Sequence, residues 1–340
     1  MTIATLEQLE DALAQPSDAD REALAALDGD LLILGVGGKM GPSLAHRAKL
    51  AAPGKRVIGV ARFSDPAARR QLDDWGIQTI AADLLEAGAL ARLPDAPNVV
   101  YMAARKFGAT GDEGYTWAMN TFLPGLVAER YRSARIVAFS TGNVYPLVPV
   151  LQGPPSESAA VAPVGEYAQS ALGRERMFTY FSGRYGTAVT LLRLNYAVEL
   201  RYGVLLDIGA KVFERRPVDL RMGHVNVIWQ GDANSVCLRS FALCSSPPAI
   251  LNLTGPETVS IRWLARRFGE RFGERFGVEP VLEGSESSTA LLSNASRCHH
   301  LFGYPAVTLE QMIEWVAAWI GMGGRTLSKP THFEVRDGKF

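Results

Sequence analysis

Cysteine is scarce in this chain, long apolar runs are missing, and neither sign of charge is in excess. The 340 residues hold three cysteines, Cys237, Cys244 and Cys298. That count is too low and too odd for a disulfide framework, and it suits a reducing cytoplasm, which is the expected compartment. No stretch reaches the ~18 consecutive apolar residues of a membrane span, so a membrane role is not expected. The first residues carry Glu7, Glu10 and Asp11 and no basic start, which does not read as a secretory signal. Thirty-five Lys and Arg cancel thirty-five Asp and Glu. A nucleic-acid binder normally shows a basic excess for its phosphate contacts, so nucleic acid is not expected as a partner. A neutral total still leaves room for a local basic pocket that takes a small phosphorylated ligand.

What is present is apolar material and glycine. Hydrophobic residues make up 47% of the chain, and there are 33 glycines. That is enough to bury a sizeable core rather than stay disordered, and the length fits one large α/β domain or two domains. Residues 1–29 read as a helical extension, with Leu6, Leu9 and Leu13 at helical spacing and Pro16-Ser17 as a break. From Asp30, short apolar runs alternate with helical stretches. Leu31–Leu34, Arg56–Val60, Gln78–Ala82, Asn98–Met102, Ala134–Ser140 and Ala188–Leu194 have the texture of strands buried on both faces. Such alternation predicts βαβ units in a doubly wound parallel sheet, a Rossmann-type α/β fold over 30–195. Residues 196–340 are expected to form mainly a smaller substrate-binding region, with strands returning to the core sheet. Helices are predicted at Leu205–Phe213, Ile261–Phe276 and Thr308–Ile320, and short strands at Val225–Trp229 and Ala249–Leu253. The four-residue repeat from Arg267 to Gly277 places its phenylalanines on one helix face, and its glycines weaken the far end of that helix.

The feature richest in chemistry follows the first strand. Gly35, Gly38 and Gly41 have GxxGxxG spacing within Gly35-Val36-Gly37-Gly38-Lys39-Met40-Gly41, between a strand and a helix. Glycines there permit a tight turn and a close approach of backbone to a pyrophosphate at the helix N-terminus. Glycine triads also occur in ordinary turns; the strand–loop–helix context and a second strand about 20 residues on favour the dinucleotide reading. At the end of the second strand stands Ala61-Arg62, where an NAD site usually has a carboxylate. Loss of the acid removes repulsion, and Arg62 can hold a 2′-phosphate. NADP is therefore favoured, with NAD as the alternative. Asp83 and Leu84, after the third strand, are placed beside the adenine.

These motifs resemble the extended short-chain dehydrogenase/reductase family, the NAD(P)-dependent epimerase/dehydratases. The resemblance covers about residues 30–320. It rests on the glycine loop, on Val99-Val100-Tyr101-Met102-Ala103-Ala104, on Asn120, on Phe139-Ser140-Thr141-Gly142-Asn143-Val144-Tyr145, on Arg193-Leu194-Asn195, and on Asn294 through Leu301-Phe302-Gly303-Tyr304-Pro305. It implies cofactor contacts from Gly35, Gly38, Lys39, Met40, Gly41, Met102, Ala103, Ala104, Asn120, Tyr167 and Leu194, beside Arg62, Asp83 and Leu84. It implies Thr141 as the hydroxyl that polarises the substrate and Tyr167, 26 residues on, as the proton-transferring tyrosine. Lys106, Asn143 and Asn195 are candidate substrate contacts, for a sugar or sugar nucleotide. A homodimer is expected by the same resemblance.

One departure falls at the centre. The family pattern is YxxxK, and Ala171 stands where the lysine belongs. That lysine lowers the tyrosine pKa and holds the nicotinamide ribose, and alanine does neither. Lys106 and Arg174 are the cations that could stand in. Arg174 reads more simply as a surface charge, while Lys106 reads equally well as a loop charge or a site residue. The loss of the lysine keeps a second reading open, a catalytically impaired nucleotide-binding or regulatory member of the family. Cys298-His299-His300 invites a metal reading, but no second cluster supports it and no metal is assigned. His224 and Asn226 read as polar packing more readily than as cleft residues, and Trp117 and Phe107 as core or rim.

Overall fold

The computed structural model describes residues 3–106, 108, 111–276 and 278–339, with the side chains of 274–276 also outside the description. Phe107 lies outside it too, and so does the far end of the 267–277 repeat, where weakening was expected. Seven strands form one parallel sheet: β1 (Leu31–Leu34), β2 (Val57–Ala61), β3 (Gln78–Ala81), β4 (Asn98–Tyr101), β5 (Arg135–Thr141), β6 (Val189–Leu194) and β7 (Ala249–Leu253). Their spatial order is β7-β6-β5-β4-β1-β2-β3. β1 pairs Leu31 with Val57 on one side and with Asn98 on the other, so the order reverses direction there. The four residues of β1 are all buried, which is why it reads as unbroken apolar sequence rather than as alternation. The expected strands fall within a residue or two of the observed ones. Ala249–Leu253 is the returning strand, pairing in parallel with β6.

The residues before β1 form two helices, α1 (Leu6–Ala14) and α2 (Asp18–Ala25). Each starts with a reciprocal cap: Thr5 with Gln8, and Ser17 with Asp20. Side-chain oxygens there satisfy amides that the helix leaves without partners. Leu9 and Leu13 are fully buried in the cluster that fills the carboxy-terminal part of the chain. Asp20 is fully buried as well. It pairs with Arg47 at 2.7 Å and accepts from Ser235 Oγ at 2.5 Å. Residues 3–29 thus contribute buried side chains to the core.

The other helices used below are α3 (Gly41–Ala51), α4 (Pro66–Asp74), α5 (Leu123–Arg130), α6 (Gly165–Tyr185), α7 (Val204–Phe213), α8 (Gln230–Arg239), α9 (Ile261–Phe276), α10 (Ser296–Phe302) and α11 (Leu309–Gly321). In α9, Phe268 and Phe272 are buried together against α7 residues, as the period-four spacing predicts. Val225–Trp229 is not one strand. It splits into His224–Val225 and Ile228–Trp229, paired with different partners. Among the described residues, no helix is long and apolar enough to cross a membrane.

Candidate active site

The site is built at the carboxyl ends of β1, β4 and β5, where open α/β sheets leave a crevice at the reversal of strand order. The loop Gly35–Met40 joins β1 to α3. Gly35 has φ +94°, and a Cβ on it would lie 2.6 Å from the Ala103 nitrogen, so only glycine lets the loop lie against the end of β4. At Gly41 a Cβ would lie 2.1 Å from the Val36 carbonyl oxygen, which makes glycine the condition for α3 to start so close to the loop. Gly37 and Gly38 are exposed. Among the described residues other than its chain neighbours, nothing comes nearer than 3.4 Å to a Cβ placed on Gly38, so their packing does not demand that glycine. No side chain caps the start of α3, which leaves its first amides for an anion. Open glycine backbone beside an uncapped helix start fits a dinucleotide pyrophosphate.

At the end of β2, Arg62 is exposed and its Nη1 donates to the Tyr115 hydroxyl at 3.3 Å. Arg105 stacks over the Tyr115 ring at 4.7 Å and pairs with Asp112. Tyr115 was not foreseen: it lies in the short helical turn Glu113–Trp117, and nothing in its local sequence marks it. Asp83 accepts from the Leu85 amide and turns the chain after β3, while Leu84 is buried. Met102 and Leu194 are half-buried, Ala103 is buried and Ala104 is exposed. Trp117 sits at the rim and donates to Glu166.

Beyond the end of β5, side chains gather from four segments. Thr141 closes β5 and is 7% exposed; its Oγ1 accepts from the Asn143 amide at 3.1 Å. Tyr167 is in the first turn of α6 and half-buried. Lys106, in the loop after β4, holds its Nζ 6.0 Å from the Tyr167 ring centroid and donates to the Thr331 carbonyl. Burial pulls Lys106 down to about 8, against the opposing charges of Asp207 and Glu334. Lys39 leaves the glycine loop for the far wall of the cleft: its Nζ donates to the Ala197 carbonyl at 2.8 Å and lies 4.1 Å over the Tyr202 ring. Burial draws it down to about 7; Glu199 opposes that shift, and Lys106 and Arg201 add to it. Burial also raises the hydroxyls of Tyr196 and Tyr202, with Tyr167 adding to both shifts. Lys39, Lys106, Tyr167, Tyr196 and Tyr202 therefore form one electrostatically connected group.

Arg174 corrects the sequence reading. It is not a surface charge but 3% exposed. Its Nη1 donates to the Phe139 carbonyl at 2.7 Å and its Nη2 to Asn120 Oδ1 at 3.0 Å. Asn120 sits in a π-turn, Ala118–Phe122, of the kind that recurs at functional sites. Its amide is taken up by protein: Oδ1 accepts from the Arg105 nitrogen, and Nδ2 donates to the Arg105 carbonyl and to Ser170 Oγ. Asn120 is thus placed to brace the loop after β4. Ala171 is fully buried and offers no cation. Asn195 is 2% exposed beneath Gly142, and its Nδ2 has no partner among the described residues. Asn143 lines a cavity of about 30 Å³ with Tyr145, Tyr196 and Arg336.

The cover of that cavity is a segment that the sequence did not announce. Residues 325–339 run without helix or strand from the end of α11 across the cleft. Thr331 is tied through its amide and hydroxyl to Asp207, and Phe333 is buried. Arg336 donates to the carbonyls of Arg221 and Thr289. Gly338 reaches the start of α6, close enough that a Cβ on Gly165 would lie 2.4 Å from its carbonyl oxygen.

Elsewhere, His299 in α10 meets the Thr254 carbonyl and stacks on Tyr304, while burial pushes the Cys298 thiol up to about 12. Asn226 is 1% exposed and ties together Glu257, Thr258 and Ser293.

A model of the NAD dependent epimerase/dehydratase family matches residues 31–198. That stretch belongs to the family. The matched stretch runs from β1 past β6 and includes the glycine loop, Thr141, Tyr167 and Ala171. Solved structures agree in fold. The UDP-glucuronic acid 4-epimerase of Bacillus cereus in complex with NAD has a TM-score of 0.71 at 17% identity, covering 86% of this chain and 96% of that one. The UDP-glucose 4-epimerase of Thermotoga maritima with UDP-glucose has a TM-score of 0.69 at 16% identity, covering 86% and 99%. The UDP-glucose 4-epimerase of Thermus thermophilus in complex with NAD has a TM-score of 0.69 at 18% identity, covering 85% and 98%. No curated protein sequence matches the chain. The epimerase/dehydratase fold therefore extends beyond residue 198 into the carboxy-terminal region, and Ala171 marks this member as one without the helix lysine of the resemblance.

Proposed function

We propose that this epimerase/dehydratase family member is an NAD(P)-dependent oxidoreductase or epimerase that acts on a sugar nucleotide, with NADP preferred. One observation carries the reading. Tyr167 from α6 and Lys39 from the glycine loop belong to the same cluster, linked through Lys106 and Tyr202. A dinucleotide seated on the loop would thus end where the tyrosine is.

Gly37, Gly38 and the start of α3 would hold the pyrophosphate, and Arg62 the adenosine 2′-phosphate. A bound nicotinamide supplies the acceptor and donor of hydride. Thr141 Oγ1 orients the reacting oxygen. As a carbinol is oxidised to a carbonyl, its C–H pair leaves as hydride and its O–H proton passes to Tyr167 Oη. The reverse transfer returns both. The solved neighbours that bind UDP-sugars make that class the first choice of substrate.

The test is a panel of UDP-sugars with NADP and NAD, run with Tyr167→Phe as control. The expected result is turnover that Tyr167→Phe lowers by about a hundredfold or more, in the range of lost acid–base catalysis. Tight cofactor binding with no Tyr167-dependent turnover on any sugar would replace this reading with that of a nucleotide-binding module.

A further inference from the structure

Ala171 leaves the first turns of α6 without a cation, yet a tyrosine that exchanges protons near neutral pH needs its phenolate favoured. An unperturbed tyrosine, with pKa about 10, is only ~0.1% ionised at pH 7, and a nearby positive charge is the direct remedy. Two cations, Arg174 and Lys106, could supply that charge, and they differ in what their nitrogens do. Both terminal nitrogens of Arg174 are spent, on the Phe139 carbonyl and on Asn120. Lys106 holds its Nζ 6.0 Å from the Tyr167 ring centroid.

We propose that Lys106 supplies the positive charge beside Tyr167 that the helix lacks at Ala171, and that Asn120 and Arg174 are the positioning residues that present it. This rests on the reading of Tyr167 as the proton-transferring group. The chain of contacts is continuous. Arg174 fixes Asn120 Oδ1 from within α6, and Asn120 clamps the main chain of Arg105 through both its nitrogen and its carbonyl. Lys106 is the next residue, and the Thr331 carbonyl fixes its far end. The cation thus comes from the loop after β4 instead of from the helix.

Among the described residues, Asp207 on α7 and Glu334 on the segment 325–339 favour the Lys106 ammonium, and Lys106 in turn disfavours that of Lys39 on the glycine loop. Burial weakens the ammonium and the two carboxylates support it. The 6.0 Å runs from Nζ to the ring centroid; a cation at that range favours a phenolate by Coulomb attraction, which solvent at this half-open site screens to roughly tenfold.

The experiment needs no turnover for its first arm. The tyrosinate absorption that disappears with Tyr167→Phe is measured in the whole, cofactor-free protein near neutral pH, below the value of about 8 at which Lys106 loses its charge. It should fall about tenfold in Lys106→Met and be largely kept in Lys106→Arg. Arg174→Met should lower it in part. Lys106→Gln is the second neutral variant, so that one misfolded protein does not decide the matter. An unchanged signal in folded Lys106→Met or Lys106→Gln overturns the proposal.

In the second arm, turnover on an active sugar is followed against pH. Lys106→Met should cut it about tenfold in the native background and far less in Tyr167→Phe, since residues that act as a unit are not additive. Equal losses in the two backgrounds also overturn the proposal. A tyrosinate signal that responds to Lys106 in a protein without turnover would uphold the pairing and defeat the enzymatic reading. Tyr167-dependent turnover that ignores Lys106 would do the reverse.

Discussion

Glu175→Gln probes the brace beneath the site. Glu175 and Arg193 are each 4% exposed in their side chains and meet at 2.7 Å between α6 and β6. The carboxylate receives three donors: Ser140 Oγ at 2.6 Å, Arg193 Nε at 2.9 Å and Arg193 Nη2 at 2.7 Å. The remaining arginine nitrogen donates to the Tyr145 hydroxyl at 2.8 Å, which in turn donates to Asn252 Oδ1 at 2.8 Å. The network ties the ends of β5, β6 and β7 to the helix that carries Tyr167.

Glutamine keeps the shape but loses the charge, and it turns an amide toward groups that are themselves donors. The guanidinium is left buried without its counter-charge, a change that costs about 3–5 kcal/mol. With ~2.1 cal/mol/K of unfolding entropy per residue, 340 residues give about 0.7 kcal/mol/K, so Tm should fall by about 4–7 °C. Thermal unfolding and urea titration measure it. The double variant Glu175→Met with Arg193→Met removes both charges and should recover most of the loss, because the desolvation cost disappears along with the attraction. A single-variant cost below about 1 kcal/mol, the range of an exposed pair, would refute the claim that this pair is a buried brace.

Asp20 carries a pH prediction. Burial raises its carboxyl, but Arg47, Ser235 and the Ser17 amide outweigh that and leave it below 3.8. A depressed folded value means that its contribution is present above the unfolded value, ~3.9, and is lost as pH falls through the folded one. The urea midpoints of the native protein and Asp20→Asn should therefore differ by about 3 kcal/mol of stability at pH 7 and converge in acid; a constant gap would contradict this. Arg62→Ala should weaken NADPH about 10–100-fold, the loss of a charge-assisted phosphate contact, and change NADH little. Fluorescence titration reads both, and equal losses would remove the 2′-phosphate role. Arg336→Ala should free the segment 325–339 and speed amide exchange there, in the range of a locally opening loop. Unchanged exchange would mean that Phe333 and Thr331 hold the segment without it.

The scaffold was largely legible because its signals are local. A buried parallel strand followed by glycines and a helix can be recognised within a dozen residues, and the strand ends fell close to those observed. What was not legible depends on meetings between distant segments. Arg174 has an ordinary helix-surface context in sequence, and its burial comes from Asn120 and Phe139, some 35 to 54 residues away. Lys106 could be raised as a substitute cation but not chosen, since its meeting with Tyr167 joins a loop to a helix. The amide of Asn120 bonds to Arg105 and Ser170, partners 15 and 50 residues away that no local pattern joins. Segment 325–339 has no periodicity, so nothing in it foretold a cover for the cleft. Residues 1–29 have helical spacing, but only the fold shows Asp20 paired beneath α3.

The central claim is that a hydride moves between a sugar carbon and the cofactor while Tyr167 takes the proton. The direct measurement uses a UDP-sugar deuterated at the ring carbon that is oxidised, with NADP present, and the mass of both the recovered cofactor and the converted sugar as readout. The account predicts that the native protein keeps the deuterium, either on the cofactor after net oxidation or back on the sugar carbon after epimerisation, and that Tyr167→Phe slows this conversion about a hundredfold. Loss of the deuterium to solvent during conversion, or conversion at the native rate in Tyr167→Phe, would contradict it.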